Sequence, residues 1–236
     1  MGLDLMKVKE RKNTVLNLKK EAGIEGQKAQ VILAMDYSGS MATLYTNGTV
    51  QDTVERILPV GLAMDDNGEV DFYLFDDGVQ KVPEAITLKT LDGFINSRVM
   101  GKYEMGGTNY APVLKRIYKD FNQKTGGFLG MGGTNTKMPY PVYIIFITDG
   151  NNFDKAATEE IVIEMSKAGF FIQFIGIGNE TFSFLNKLDD LPGRTLDNAN
   201  FFKCPNVNRI TDEELYKLLM MEFPGWLNKA KQLNFI

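Results

Sequence analysis

Five oxygen-bearing side chains stand out by type and spacing. They are Asp36, Ser38 and Ser40 in an Asp-x-Ser-x-Ser run, Thr108 after a glycine pair, and Asp149 in Thr-Asp-Gly. Carboxylates and hydroxyls are what hard divalent cations such as Mg²⁺ require, usually with waters retained. The chain has no histidine and a single cysteine, Cys204. That excludes Ser-His-Asp and Cys-His catalysis and the common zinc sites, so any metal here is held by oxygen. Taken alone, the Asp36 loop also fits an Asp that caps a turn and serines that cap the next helix. Gly39, Gly106, Gly107 and Gly150 offer backbone freedom for tight turns beside an ion.

These residues need a scaffold that brings distant loops to one edge. Residues 31–35 are a continuous apolar run, which reads as a buried parallel strand ending at Asp36. In an open α/β sheet, ligands bind at the carboxyl ends of such strands. A helix is expected over 49–64, capped by Thr49 and kinked or broken by Pro59. After the turn signal at 65–68, residues 69–75 read as a second strand. Asp77-Gly78 then turns the chain into a third, 79–82, antiparallel and at an edge. A right-handed crossover makes the first two strands parallel, so Asp76 and Asp77 should lie on the same edge as Asp36.

Further helices are expected over 90–98, 110–121, 155–168 and 182–188, and strands over 142–148, 171–178 and 200–203. Residues 122–139 read as a long surface loop. Thr211-Asp212-Glu213-Glu214 opens a C-terminal helix in capping-box style, and Phe223-Pro224-Gly225 should break it. The alternation implies a doubly wound α/β fold: a mostly parallel central sheet of about six strands, one antiparallel edge strand, and helices on both faces. The expected organisation is a charged helical arm over 1–28, peripheral to a single domain over 29–236.

Composition narrows the function classes. At 236 residues, 44% hydrophobic and 24% charged, the chain is ordinary for one soluble globular domain. A net charge of −4 without a basic cluster argues against nucleic-acid binding. Apolar runs fall short of a membrane span, and the N-terminal residues lack a signal-peptide core. Met1-Gly2 opens like a myristoylation signal, but Met6 stands where Ser or Thr is needed. One cysteine suits a reducing compartment, so a cytoplasmic location without membrane insertion is expected.

The five-residue pattern resembles the metal-ion-dependent adhesion site of von Willebrand factor A domains. The resemblance covers about residues 29–222 and matches all five positions in order. It implies that Ser38, Ser40 and Thr108 bind Mg²⁺ directly or through water, with Asp36 and Asp149 acting directly or through water according to ligand state. Mn²⁺ or Ca²⁺ could serve instead. A narrower likeness rests on Asn109-Tyr110-Ala111-Pro112, Leu74-Phe75-Asp76, residues 185–190 with Asp197-Asn198-Ala199, and residues 222–227. These look like the A domain of bacterial tellurium-resistance (Ter-type) proteins, which act in chemical-stress and phage-defence contexts. Thr134, in a second Gly-Gly-Thr-Asn, competes with Thr108. Thr108 is preferred because it precedes a helix, as the site requires.

The function so implied is a metal-dependent protein-interaction module in a tellurium-resistance or chemical-stress system. A partner Asp or Glu would complete the ion's shell, and other tellurium-resistance proteins are candidate partners. Tyr37, Asp76, Asp77, Tyr103, Glu104, Asn109 and Thr134 are candidate rim or partner contacts. Two alternatives remain open. A Mg²⁺-dependent phosphohydrolase would use Asp36 as nucleophile or metal ligand, although position 38 is Ser where a haloacid-dehalogenase-like site carries Asp. A scaffold would use the ion only to staple loops.

Overall fold

The computed structural model describes residues 4–65, 67–122, 137–150 and 152–236. Six strands form one sheet in the order β3-β2-β1-β4-β5-β6. They are β1 Gln30–Asp36, β2 Asp71–Phe75, β3 Val79–Lys81, β4 Val142–Thr148, β5 Phe170–Gly176 and β6 Ala199–Lys203. Every neighbouring pair is parallel except β2 with β3. β4 and β5 are buried at every position, which is why their sequences are almost wholly apolar; the exception within β5, Gln173, is bonded to Asn200 of β6.

Helices cover both faces, as a parallel sheet with crossovers requires. They are α1 Leu5–Glu21, α2 Ala42–Thr46, α3 Thr49–Met64, α4 Phe94–Arg98, α5 Ala111–Asn122, α6 Lys155–Met165, α7 Ser183–Asp189, α8 Asp212–Leu219 and α9 Phe223–Gln232. One group packs α1 against α3 and α8; another runs α5 to α6 to α7. Strand register places the site. Asp36 stands opposite Phe75, and Met35 opposite Ile147, so the last residues of β1, β2 and β4 lie side by side at one edge.

Several elements differ from expectation. The N-terminal helix is no loose appendage: it buries Val8, Val15 and Leu18, and with them Arg11 and Lys19. Lys19 Nζ donates to the carbonyls of Gln27 (2.7 Å) and Ala63 (2.8 Å). The helix α3 continues through Pro59 without a break. Proline cannot donate to the carbonyl four residues back, and the Arg11 guanidinium reaches that Glu55 carbonyl instead, at 3.4 Å. Phe223-Pro224-Gly225 begins α9 rather than ending a helix, because Pro in the first turn forfeits no internal hydrogen bond. The expected helix over 90–98 contracts to α4. Just before it, Thr87 and Thr90 tie the chain into a side-chain-bonded turn. Val70 pairs with Ile86 outside the named strands, so β2 begins two residues later than expected.

Candidate metal centre

Three loops meet at the carboxyl edge of β1, β2 and β4, and hydrogen bonds tie each to the others. The Gly39 amide donates to the Gly106 carbonyl (3.1 Å). The Phe153 amide donates to the Thr108 carbonyl (3.0 Å). The Ser40 hydroxyl donates to Asp149 Oδ1 (2.9 Å), which closes the triangle.

Asp36 is fully buried at the end of β1. Its Oδ1 accepts the Ser38 amide (2.8 Å) and its Oδ2 accepts the Thr148 hydroxyl (2.6 Å). Its own carbonyl accepts the Tyr45 hydroxyl (2.8 Å), so α2 helps to hold the strand end. Ser38 and Ser40 Oγ atoms lie 3.0 Å apart. The Ser40 hydroxyl in turn reaches Asp149, so a chain of oxygens runs from the buried loop to the half-buried Asp149.

Electrostatically this cluster is uncompensated. Burial pushes the Asp36 carboxyl up to about 6; hydrogen bonds from Ser38 and Thr148 oppose the shift and the Asp149 charge adds to it. Burial also raises Asp149, against the Ser40 hydrogen bond, and the charge of Glu180 adds to it. Among the described residues neither carboxylate has a lysine or arginine partner. Among the described residues no three His, Cys, Asp or Glu side chains gather as a metal-holding group. A cation site at this edge therefore depends on the hydroxyls as much as on the acids. Two carboxylates and three hydroxyls without a protein cation form a donor set of the hard-oxygen kind, and they fit a divalent ion.

Thr108 is buried on the middle loop, two residues before Tyr110, where Asp154 takes over. Asp154 Oδ1 accepts the Tyr110 amide (3.0 Å) and Oδ2 the Ala111 amide (2.7 Å), satisfying the first donors of α5. Asp154 precedes α6 yet makes no side-chain cap there. Tyr110 in turn places its hydroxyl 2.5 Å from the Gly150 carbonyl and 3.1 Å from Thr148 Oγ1. Thr148, Tyr45, Tyr110 and Asp154 thus support the site, and sequence reasoning had not assigned them to it. Thr148 follows from strand register; the others are contacts across elements that spacing cannot reveal.

The glycine pair has a different role from the one expected. None of Gly39, Gly106, Gly107 and Gly150 has positive φ. A Cβ at Gly106 would stand 2.8 Å from Asp77 Oδ2 and 3.0 Å from Asp76 Oδ2, and one at Gly107 would collide with Asp77 as well. The pair is bare so that the β2–β3 turn can press against it. There Asp77 Oδ2 accepts the Gly107 amide (2.8 Å) and Asp76 Oδ1 the Gly78 amide (2.7 Å).

The candidate rim residues separate accordingly. Asp76 and Asp77 brace the middle loop. Asn109 is engaged with the same turn, its amide donating to the Asp76 carbonyl (2.8 Å) and its Nδ2 to the Asp77 carbonyl (3.3 Å). Tyr37 is buried, edge-on to Tyr45, with its hydroxyl donating to the Tyr103 carbonyl (3.2 Å), so it is a prop rather than a rim contact. Glu104 is exposed and Tyr103 half-buried. Thr134 lies outside the described residues.

Sheet order and the family match together define a von Willebrand factor A-type fold. Solved structures agree in fold. Proximal thread matrix protein 1 from the mussel byssus, with a zinc-occupied MIDAS motif, is similar at a TM-score of 0.54 and 19% identity. The alignment covers 83% of this chain and 47% of that one, so the chain spans about half the mussel protein's length. Manganese-loaded TRAP protein of Plasmodium vivax gives a TM-score of 0.54 at 15% identity, covering 82% of this chain and 72% of that one. The chain belongs to the vWA-TerF-like family, whose model, vWA found in TerF C terminus, matches residues 28–236. The uncharacterized protein YcbR of Bacillus subtilis (strain 168) is 37% identical over 211 residues, 88% of this chain and 81% of that protein.

Proposed function

We propose that the chain is a metal-dependent protein-binding module. Asp36, Ser38, Ser40, Thr108 and Asp149 would hold a divalent ion, and a partner's Asp or Glu would bind to it. The observation that carries this reading is the buried, uncompensated Asp36, held in place by two hydrogen bonds and pushed up to about 6 by burial. A structural carboxylate in such a place is ordinarily paired with a cation from the chain itself. When bound, the ion supplies a positive centre with strict geometry that accepts a carboxylate oxygen. The chain's residues orient the ligand oxygens: Thr148 and the Ser38 amide fix Asp36, Ser40 fixes Asp149, and Asp154 fixes the approach of the Thr108 loop.

A binding role fits this site better than hydrolysis. Both Asp36 oxygens already accept hydrogen bonds and the side chain is sealed from solvent, which suits a ligand-orienting group more than an attacking nucleophile. Zinc in the mussel protein and manganese in TRAP favour a divalent ion; Mg²⁺ is our first choice on the hard-oxygen chemistry. The TerF name of the family supports a place in a tellurium-resistance or chemical-stress system, with other proteins of that system as partners. We place it in the cytoplasm; among the described residues no helix is long and apolar enough to cross a membrane.

The test is thermal unfolding after chelation, titrated with Mg²⁺, Mn²⁺ and Ca²⁺, wild type beside Asp36→Ala. A ligand of the native state at one hundred times its dissociation constant stabilises by about 2.7 kcal/mol. A rise of the midpoint in wild type that Asp36→Ala removes is the expected result. No rise at millimolar metal would overturn the reading.

A further inference from the structure

Phe153 is 83% exposed, the most exposed of the large hydrophobic side chains among the described residues. A single exposed apolar residue is ordinary on a protein surface; the bracing of this one is not. Its amide donates to the carbonyl of Thr108, a candidate metal ligand (3.0 Å). The residue before it, Asn152, is buried and donates from Nδ2 to Asp154 Oδ1 (2.6 Å) and Thr158 Oγ1 (3.1 Å). The residue after it, Asp154, clamps the first amides of α5. The backbone on both sides of Phe153 is therefore pinned while the ring stands in water, four residues beyond Asp149 on the same loop.

We propose that Phe153 is the specificity contact of the metal face: it packs against an apolar side chain next to the partner's metal-binding acid. This rests on the metal-ligand reading above and goes beyond it by naming the recognised feature as an acid with an apolar neighbour. Charge explains why an acid alone is a poor partner. Asp76 and Asp77 press on the Gly106–Gly107 stretch and the charge of Glu180 acts on Asp149, so a partner carboxylate approaches an acidic rim and gains only at the ion. An aromatic ring carried on a pinned backbone next to the Thr108 loop adds apolar contact with only two side-chain torsions left to order, the usual character of an interface hot spot.

The experiment selects peptides from a random displayed library on the full chain in millimolar Mg²⁺, then measures soluble copies by fluorescence anisotropy. Binders are expected to carry Asp or Glu with Leu, Ile, Met or an aromatic residue close by, and to be lost in chelator. Phe153→Ala should weaken them roughly tenfold to thirtyfold. The Mg²⁺-induced rise in the unfolding midpoint should stay unchanged in that variant, and Tyr140→Ala, at the opposite edge of the sheet, should bind as wild type does. Mg²⁺-dependent acidic binders without an apolar neighbour, or with equal affinity for Phe153→Ala, would overturn this inference and leave the metal-ligand reading standing. No Mg²⁺-dependent acidic binder on wild type would overturn both.

Discussion

Two polar clusters lie within this fold, and they are opposites. Around Asp212, Arg11 Nε (2.9 Å) and Arg56 Nε (2.8 Å) each take one carboxylate oxygen. Arg56 also donates from Nη1 to the carbonyl of Val207 and from Nη2 to that of Ile210. Burial there tends to raise Asp212, but the two arginines outweigh it and hold the carboxyl below its usual range. Around Asp36 and Asp149 the same burial meets no cation from the chain, and both carboxyls rise. A cluster whose carboxylate is paired from within the chain is complete and structural: it locks α1 and α3 to the start of α8. A cluster left anionic and pre-bonded by hydroxyls is complete only with something from outside.

The largest way to break this contrast is Asp212→Ala. It strands two arginines that are almost wholly buried, and we expect a loss of about 3 kcal/mol, the low end for breaking a buried pair because Asp212 is partly exposed. Denaturant unfolding measures it, and added Mg²⁺ should not repair it. In the anionic cluster the dependence reverses. Saturating Mg²⁺ should raise the wild-type midpoint by roughly 5–10 °C for a chain of this length. Asp36→Ala should show no rise. A comparable metal effect in Asp36→Ala would mean that the ion binds elsewhere.

A third expectation concerns pH, where the two clusters titrate in opposite senses and in different windows. The unfolded chain releases a carboxyl proton near pH 4. Asp36, raised to about 6, therefore costs the metal-free fold stability as pH climbs from about 4 to about 6. Asp212, lowered, contributes in full above that unfolded value and loses its contribution as pH falls below it. Metal-free Asp36→Asn should flatten the fall between pH 4 and 6, read from midpoints in chelator across that range. An unchanged slope would show that Asp36 is not the group responsible.

The two clusters also differ in how far the sequence reveals them. Asp36-x-Ser38-x-Ser40 sits within five residues at the end of a continuous apolar strand, so its chemistry and its place on the sheet edge are local facts. The parallel sheet, its antiparallel edge and the capping box at Thr211 are legible for the same reason. The arginine cluster joins residues 11, 56 and 212, and no periodicity encodes a contact over such separations. Pro59 does not break its helix, and a partner from another helix takes the carbonyl it leaves free. Gly106 and Gly107 carry the right signal with a different cause, the approach of Asp76 and Asp77. Phe153 is one more apolar letter until its exposure is known.

The smallest expectation refines the structural side of the contrast. Thr211 caps α8: its hydroxyl accepts the Glu214 amide (3.2 Å), and Glu214 Oε2 accepts the Thr211 amide (2.8 Å). Asp212 is the first residue of that helix, so the cap fixes the backbone from which the carboxylate meets both arginines. Thr211→Ala should cost about 1 kcal/mol, the ordinary value for a lost cap. If the cap serves only the helix, the losses from Thr211→Ala and Asp212→Ala should add in the double variant. If it also positions Asp212, the double variant should lose less than the sum, because the capless helix already holds its carboxylate poorly. Strict additivity would detach the cap from the arginine cluster, whereas metal stabilisation should be the same in all three variants, since none touches the Asp36 edge.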